Sequence, residues 1–168
     1  MKLELKNIKH TAWASEETHC YQASLYVDGK PVAVVSNDGH GGCDRDYDHP
    51  KFKGDYRAVM KSIEEYFESL PPSPFSYEGA DGVMVHDTLP QTLEAWCCDA
   101  VNDWLSAREL RRMMRTQILF QKEGAEEAGV FGTKYYHPKT DGNFWRGRRI
   151  LNDMPFDEAL AIWKETAQ

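Results

Sequence analysis

Tyr21-Gln22-Ala23-Ser24-Leu25-Tyr26-Val27-Asp28-Gly29-Lys30-Pro31-Val32-Ala33-Val34-Val35 is the stretch on which the fold turns. Tyr21, Ala23, Leu25 and Val27 alternate with Gln22, Ser24 and Tyr26, the two-residue period of a half-buried strand. Asp28-Gly29 then separates this run from the β-rich Pro31–Val35, and glycine tolerates the positive φ of a tight hairpin turn. Upstream, Leu3, Leu5 and Ile8 predict a strand, so the first third of the chain reads as a β-meander.

Downstream the period changes. Tyr56, Val59, Met60, Ile63, Tyr66, Phe67 and Leu70 recur at three- and four-residue steps and predict an amphipathic helix, which Pro71-Pro72 ends. The segment to Asp87, with Pro74, Gly79 and Gly82, is expected to be a loop. Thr88-Leu89-Pro90-Gln91 fits a capping box ahead of a helix whose stripe is Leu93, Trp96, Cys97, Ala100, Val101, Trp104 and Leu105. Ser106-Ala107-Arg108-Glu109 repeats the capping pattern, so the helix bends there or a new one runs to about Arg115. Ile118–Phe120 and Val130–Tyr136 predict two strands joined as a hairpin by 123–129. Residues 137–149 read as irregular, with a short strand around Arg149–Leu151. Asp153-Met154-Pro155 opens a last helix with Phe156, Ala159, Leu160 and Trp163 inward and Asp157 and Glu158 in its first turn, where acids suit the helix dipole. The expected fold is α+β: one domain over residues 1–168, an antiparallel sheet (meander plus later hairpin) on three to four amphipathic helices.

The 168 residues are 41% hydrophobic, 12% aromatic and 28% charged, with a formal charge of −7. These are globular values, and the negative balance argues against a nucleic-acid coat. No run approaches the ~18 apolar residues of a membrane span. Charges break up the opening Met1–Lys9 every second residue, so it is no signal-peptide core, and a cytoplasmic location is expected. Cys20, Cys43, Cys97 and Cys98 include no C-x-x-C pair and match neither a zinc ribbon nor a disulfide framework.

Residues 36–50, Ser-Asn-Asp-Gly-His-Gly-Gly-Cys-Asp-Arg-Asp-Tyr-Asp-His-Pro, read as a polar glycine-rich loop that invites chemistry. His40, Cys43 and His49, with Asp38, Asp44, Asp46 or Asp48, supply the N, S and O donors a divalent metal such as zinc accepts. The Asp44-x-Asp46-x-Asp48 run fails as a calcium loop, because His49 stands where glycine is needed and Asp55 where a bidentate glutamate belongs. Cys43 with His40 or His49 as base is a nucleophile reading, but the surrounding aspartates push a thiol the wrong way. Gly39, Gly41 and Gly42 with His40 could form a backbone nest for a phosphate. The plain alternative is a surface loop with Asn37 and Asp38 making turn hydrogen bonds.

Charge is segregated along the chain. Residues 62–107 hold no Lys or Arg but contain Glu64, Glu65, Glu68, Glu78, Asp81, Asp87, Glu94, Asp99 and Asp103, whereas 108–149 carry ten basic residues against five acids. Arg108, Arg111, Arg112 and Arg115 fall on one helix face, with Leu110, Met113 and Met114 turned inward. Phe144-Trp145-Arg146-Gly147-Arg148-Arg149 sets arginines beside aromatics, a pairing suited to phosphates and bases. Solvated or internally paired charge is the plain alternative for both regions.

Val35-Ser36-Asn37-Asp38-Gly39-His40-Gly41-Gly42 and Ile150-Leu151-Asn152-Asp153-Met154-Pro155-Phe156-Asp157-Glu158-Ala159-Leu160, with the Leu3–Ile8 strand, resemble parts of small uncharacterised proteins encoded by bacteriophages and other mobile elements. The resemblance implies a setting, the cytoplasm of an infected bacterium, where small acidic proteins bind host enzymes, including defence nucleases, or sequester nucleotide signals. The leading expectation is a non-catalytic accessory protein that inhibits or redirects a host factor with a basic surface, a counter-defence role, through Glu64, Glu68, Asp87, Glu94, Asp99 and Asp103. The alternative is a nucleotide- or phosphate-binding protein, sequestering or phosphoesterase-like, using Gly39–Gly42 and the arginine stripe. A small virion or assembly component is the third. No cofactor is expected, apart from the divalent metal that His40, Cys43 and His49 could hold.

Overall fold

The computed structural model describes residues 1–80, 82–122, 128–133 and 146–166. The fold is mixed α+β, antiparallel in every strand pair, with three α-helices among the described residues. Two compact units divide the chain, Met1–Val101 and Asn102–Gln168.

The first unit is built on a four-stranded meander in the order β1-β2-β3-β4: Leu3–His10, Tyr21–Val27, Lys30–Asn37 and Arg45–Asp48. The β2–β3 turn is as its sequence requires: Asp28 (φ 47°) and Gly29 (φ 80°) both take positive φ, the conformation that matches a tight hairpin to the strand twist. Alternation along β2 buries Tyr21, Ala23 and Leu25 and leaves Gln22 exposed. With Val32, Ala33 and Val35 of β3, and Ile63 and Phe67 of a helix, they make up much of the buried core of this unit. The expected loop 36–50 is only partly a loop. Its second half is strand β4, which pairs Ser36 with Arg45 and Ala33 with Asp48.

Helix α1, Tyr56–Glu68, carries its predicted stripe inward and is capped by Asp55, whose Oδ1 accepts from the Ala58 amide at 3.1 Å. The segment expected as a loop before Asp87 is a hairpin instead. Strands β5, Ser73–Glu78, and β6, Met84–Leu89, pair from Ser73↔Leu89 to Glu78↔Met84. Turn residues mark only its tip, where Gly82 has φ 75°, and polar residues in both strands hide the β period. Thr88 therefore lies in β6 and caps nothing. Helix α2, Leu93–Thr116, starts at Thr92, whose Oγ1 accepts from the Ala95 amide at 3.1 Å, and it runs through Ser106 without a second start.

The second unit contains a three-stranded sheet, β8-β7-β9: Gln117–Lys122 lies between Ala128–Thr133 and Arg148–Ile150. Helix α3, Phe156–Thr166, covers a core of Leu110, Leu119, Leu151, Ala159 and Ile162, flanked by Met113, Met114, Phe156, Leu160 and Trp163. The predicted hairpin, short strand and last helix are all present. Asp81, residues 123–127 of the predicted hairpin loop, and residues 134–145, which take in the end of the predicted strand, most of the irregular segment and Phe144-Trp145, lie outside the described residues. Because β7 follows α2 with no loop, the backbone groups at that junction need partners. Asn152 supplies them: its Oδ1 accepts from the Leu119 amide at 2.8 Å, and its Nδ2 donates to the carbonyls of Met114 and Gln117 at 3.2 and 3.0 Å.

Removing that side chain strands three part-buried backbone groups. Asn152→Ala is expected to lower unfolding stability by about 2 kcal/mol, measurable as a lower urea midpoint at unchanged slope. A midpoint equal to wild type contradicts this account.

Candidate functional site

The loop after β3 is organised by Asn37, a buried polar side chain with 8% exposure. Its Oδ1 accepts from Thr18 Oγ1 at 2.7 Å and from the Gly39 amide at 2.9 Å. Its Nδ2 donates to the Gly42 carbonyl at 2.8 Å and to Asp44 Oδ1 at 3.0 Å. Four bonds satisfy a group that would be costly to bury without them. Gly39 is held by a close approach: a Cβ there would lie 1.9 Å from the Ala14 carbonyl oxygen, and φ is 91°. The Gly39 carbonyl in turn accepts from the amides of Glu16, Glu17 and Thr18.

This arrangement bears on the phosphate-nest expectation. The amides of Gly39, His40 and Gly41 are taken by Asn37 Oδ1, Asp38 Oδ1 and Thr18 Oγ1, so they do not converge on an anion. His40 is exposed between Asp38, 3.6 Å away, and Glu16, 4.0 Å away. The metal expectation is not met either. Cys43 is exposed, while His49 accepts from the Lys51 amide at 3.1 Å and faces the Tyr26 ring. Among the described residues no group of three or more His, Cys, Asp or Glu is placed to hold a metal ion. The glycine loop belongs to the first unit and the arginine stripe to the second.

What Asn37 does position is Asp44, which lines a cavity of about 250 Å³. Val35 of β3, Asp46 of β4, Met60 and Glu64 of α1, and Thr92, Leu93, Glu94 and Cys97 at the start of α2 complete the lining. Four carboxylates thus share one concavity, and among the described residues no Lys or Arg lines it. The Asp44 amide donates to Glu94 Oε1 at 3.2 Å, joining the loop to α2. Phenols fix the two aspartates: Tyr21 donates to Asp44 Oδ2, and Tyr56 to Asp46 Oδ2. Burial, reinforced by these bonds to carboxylates, pushes both phenols well above the ordinary tyrosine range. Cys97 is 1% exposed, and burial first, with the Asp44 charge second, pushes its thiol up to about 12. Both effects favour its protonated form.

Sequence reading found Glu64 and Glu94 as acids and Asp44 and Asp46 as loop residues, but not that they meet. Tyr21, Tyr56 and Cys97 read only as stripe positions. Of the remaining predicted acids, Glu68, Asp87 and Asp99 are exposed in the first unit. Asp103, in the second unit, pairs with Lys164, so it adds little net charge. The arginine stripe is exposed as expected but partly engaged. Arg108 lies over Trp104 at 5.3 Å, Arg111 over Phe156 at 4.2 Å, and Arg112 is 3.6 Å from Glu109.

A second concavity, of about 430 Å³, is lined by His10, Ser15, Glu16, Glu17, Thr18, His19 and Cys98, with Ala12. Ser15 Oγ lies 3.2 Å from His10 Nε2, but it donates to the Thr11 carbonyl at 3.0 Å and accepts from the Cys20 amide at 2.9 Å.

Three readouts check this description. Iodoacetamide at pH 8 is expected to label the exposed Cys43 and Cys98 of the folded chain and to spare Cys97. The raised thiol also sets an alkaline limit. Below the ordinary value of 9.0 both states hold the proton, whereas from there to about 12 only the unfolded thiol releases it, so stability falls across that window. Melting curves should show a shallower decline for Cys97→Ala than for wild type. Gly39→Ala is expected to cost about 2–4 kcal/mol, because backbone must move; a loss below about 0.5 kcal/mol contradicts the close approach.

No family model, no curated protein and no solved structure matches this chain.

Proposed function

We propose that the chain is a non-catalytic binding protein of bacteriophage or mobile-element origin that inhibits or redirects a host factor by receiving a basic side chain of that partner in its acidic cavity. The observation that carries this reading is the meeting of Asp44, Asp46, Glu64 and Glu94 around one concavity without a lining lysine or arginine. Its volume of about 250 Å³ falls below the roughly 300–1,000 Å³ of pockets that enclose drug-sized ligands. It suits one arginine or lysine side chain better than a whole nucleotide. Fixed carboxylates bind such a group by charge-assisted hydrogen bonds, and the surrounding acids steer the encounter. The absence of basic residues from 62 to 107 extends the same field over the second half of α1 and along α2 as far as Ala107.

The phage-like stretches Val35–Gly42 and Ile150–Leu160 support the bacterial setting, in which a host nucleic-acid-handling enzyme is a natural bearer of a basic surface. No helix among the described residues is long and apolar enough to cross a membrane. The nucleotide alternative has less behind it, since the loop amides it needs are occupied within the chain.

The test compares immobilised wild-type chain with the Glu64→Gln/Glu94→Gln variant in bacterial lysate, with retained proteins identified by mass spectrometry. A basic protein held by wild type at about 50 mM salt, released by about 0.5 M salt and bound about tenfold more weakly by the variant is expected. Equal retention by both forms, or no retained protein, removes the reading.

A further inference from the structure

We infer that the β5–β6 hairpin is a separate docking element, and that its partner is a protein surface with an apolar patch bordered by lysine or arginine. The inference rests on the reading of the chain as a binding protein, but it concerns a different surface from the acidic cavity.

Residues directly opposite in an antiparallel pair share a face. The register Phe75↔Asp87, Tyr77↔Val85 and Ser73↔Leu89 therefore gathers Phe75, Tyr77, Val85 and Leu89 on one side, with Asp87 the only charge among them. Phe75 and Tyr77 stack at 5.7 Å and 15°. Only Phe75 and Val85 are half-buried, whereas Tyr77 is 48% and Leu89 55% exposed.

These two strands form a sheet of their own. An isolated two-stranded hairpin is marginal in water, and an apolar face on such an element marks a contact surface. At its base Gln91 Nε2 donates to the Pro71 carbonyl at 2.8 Å, and at its tip the Gly79 amide donates to the Val83 carbonyl at 2.8 Å. The arm is thus closed at both ends before any partner arrives.

Charge selects the occupant. The described hairpin carries Glu78 and Asp87 and no Lys or Arg. A second copy meeting this face through its own hairpin would set Asp87 against Asp87, and an anionic lipid surface would repel it too. A protein with basic residues around an apolar patch satisfies both the aromatic pair and Asp87 beside it, and tyrosine is a side chain that dominates such contacts.

The experiment places a benzoyl-phenylalanine photocross-linker at Tyr77 of the full chain, irradiates it in bacterial lysate and sequences the joined peptides. An apolar partner segment flanked by Lys or Arg is expected. The purified partner should then bind Tyr77→Thr/Leu89→Thr about tenfold more weakly than wild type; threonine keeps strand propensity, and unchanged circular dichroism confirms the fold. Cross-links only to a second copy, to no protein, or to a segment without basic flanks overturn the inference, as does affinity within about twofold of wild type. Glu64→Gln/Glu94→Gln measured against the same partner separates the two proposals. If only the hairpin variant loses affinity, the hairpin stands and the cavity reading falls; if only the cavity variant does, the reverse holds.

Discussion

The buried carboxamide of Asn37 is the constraint on which the first unit's site depends. It leaves β3 with both its oxygen and its nitrogen committed: the oxygen to Thr18 and Gly39, the nitrogen to Gly42 and Asp44. No other uncharged side chain of that size offers two donors and an acceptor with two lone pairs in one plane. An aspartate there would turn a carboxylate toward the Gly42 carbonyl and Asp44. The glycines that looked like a ligand cradle are part of the same clasp. Gly39 is glycine because the Ala12–Ala14 turn passes too close for a side chain, and its carbonyl accepts from the amides of Glu16, Glu17 and Thr18 that follow.

The second unit uses the same device at a different kind of junction. Asn152 satisfies backbone where α2 passes into β7 without a connecting loop. Each asparagine spans a long sequence separation, so each fixes a tertiary contact as well as a local turn. The acids around the cavity are held in a graded way. Asp44 is tied by Asn37, Tyr21 and its own amide's bond to Glu94. Asp46 is tied by Tyr56. Glu64 lies exposed on α1.

The elements with strong periods were legible in the sequence. The alternation from Tyr21 to Val27, the Asp28-Gly29 turn, the α1 stripe through Ile63 and Phe67, and the Pro155 start of α3 each follow from local patterning that the structure keeps. The β5–β6 hairpin was not legible, because its faces mix Phe75 with Asp87 and Met84 with Glu78, so neither strand shows a clean two-residue period. β4 was hidden for a similar reason: Arg45-Asp46-Tyr47-Asp48 is an edge strand with every residue exposed. The cavity was illegible in a different sense. Its acids were all noticed, but their meeting depends on pairs such as Tyr21 with Asp44 and Asp44 with Glu94, which no spacing rule encodes. The glycine loop is ambiguous in sequence because close backbone approach and anion binding call for the same residue.

The irregularity in β1 has a consequence for how this chain behaves in a crowded cell. The ladder to β2 shifts between Lys6 and Lys9, with Asn7 at φ 55°, which bends the outermost strand just where lysines flank it. At the opposite end of the sheet, β4 is four residues long and bears Arg45, Asp46 and Asp48. Straight, uncharged borders recruit strands from neighbouring molecules and seed fibrils; bent or charged ones do not. Both borders of this sheet are of the second kind, so the meander can be made in quantity without templating its own aggregation.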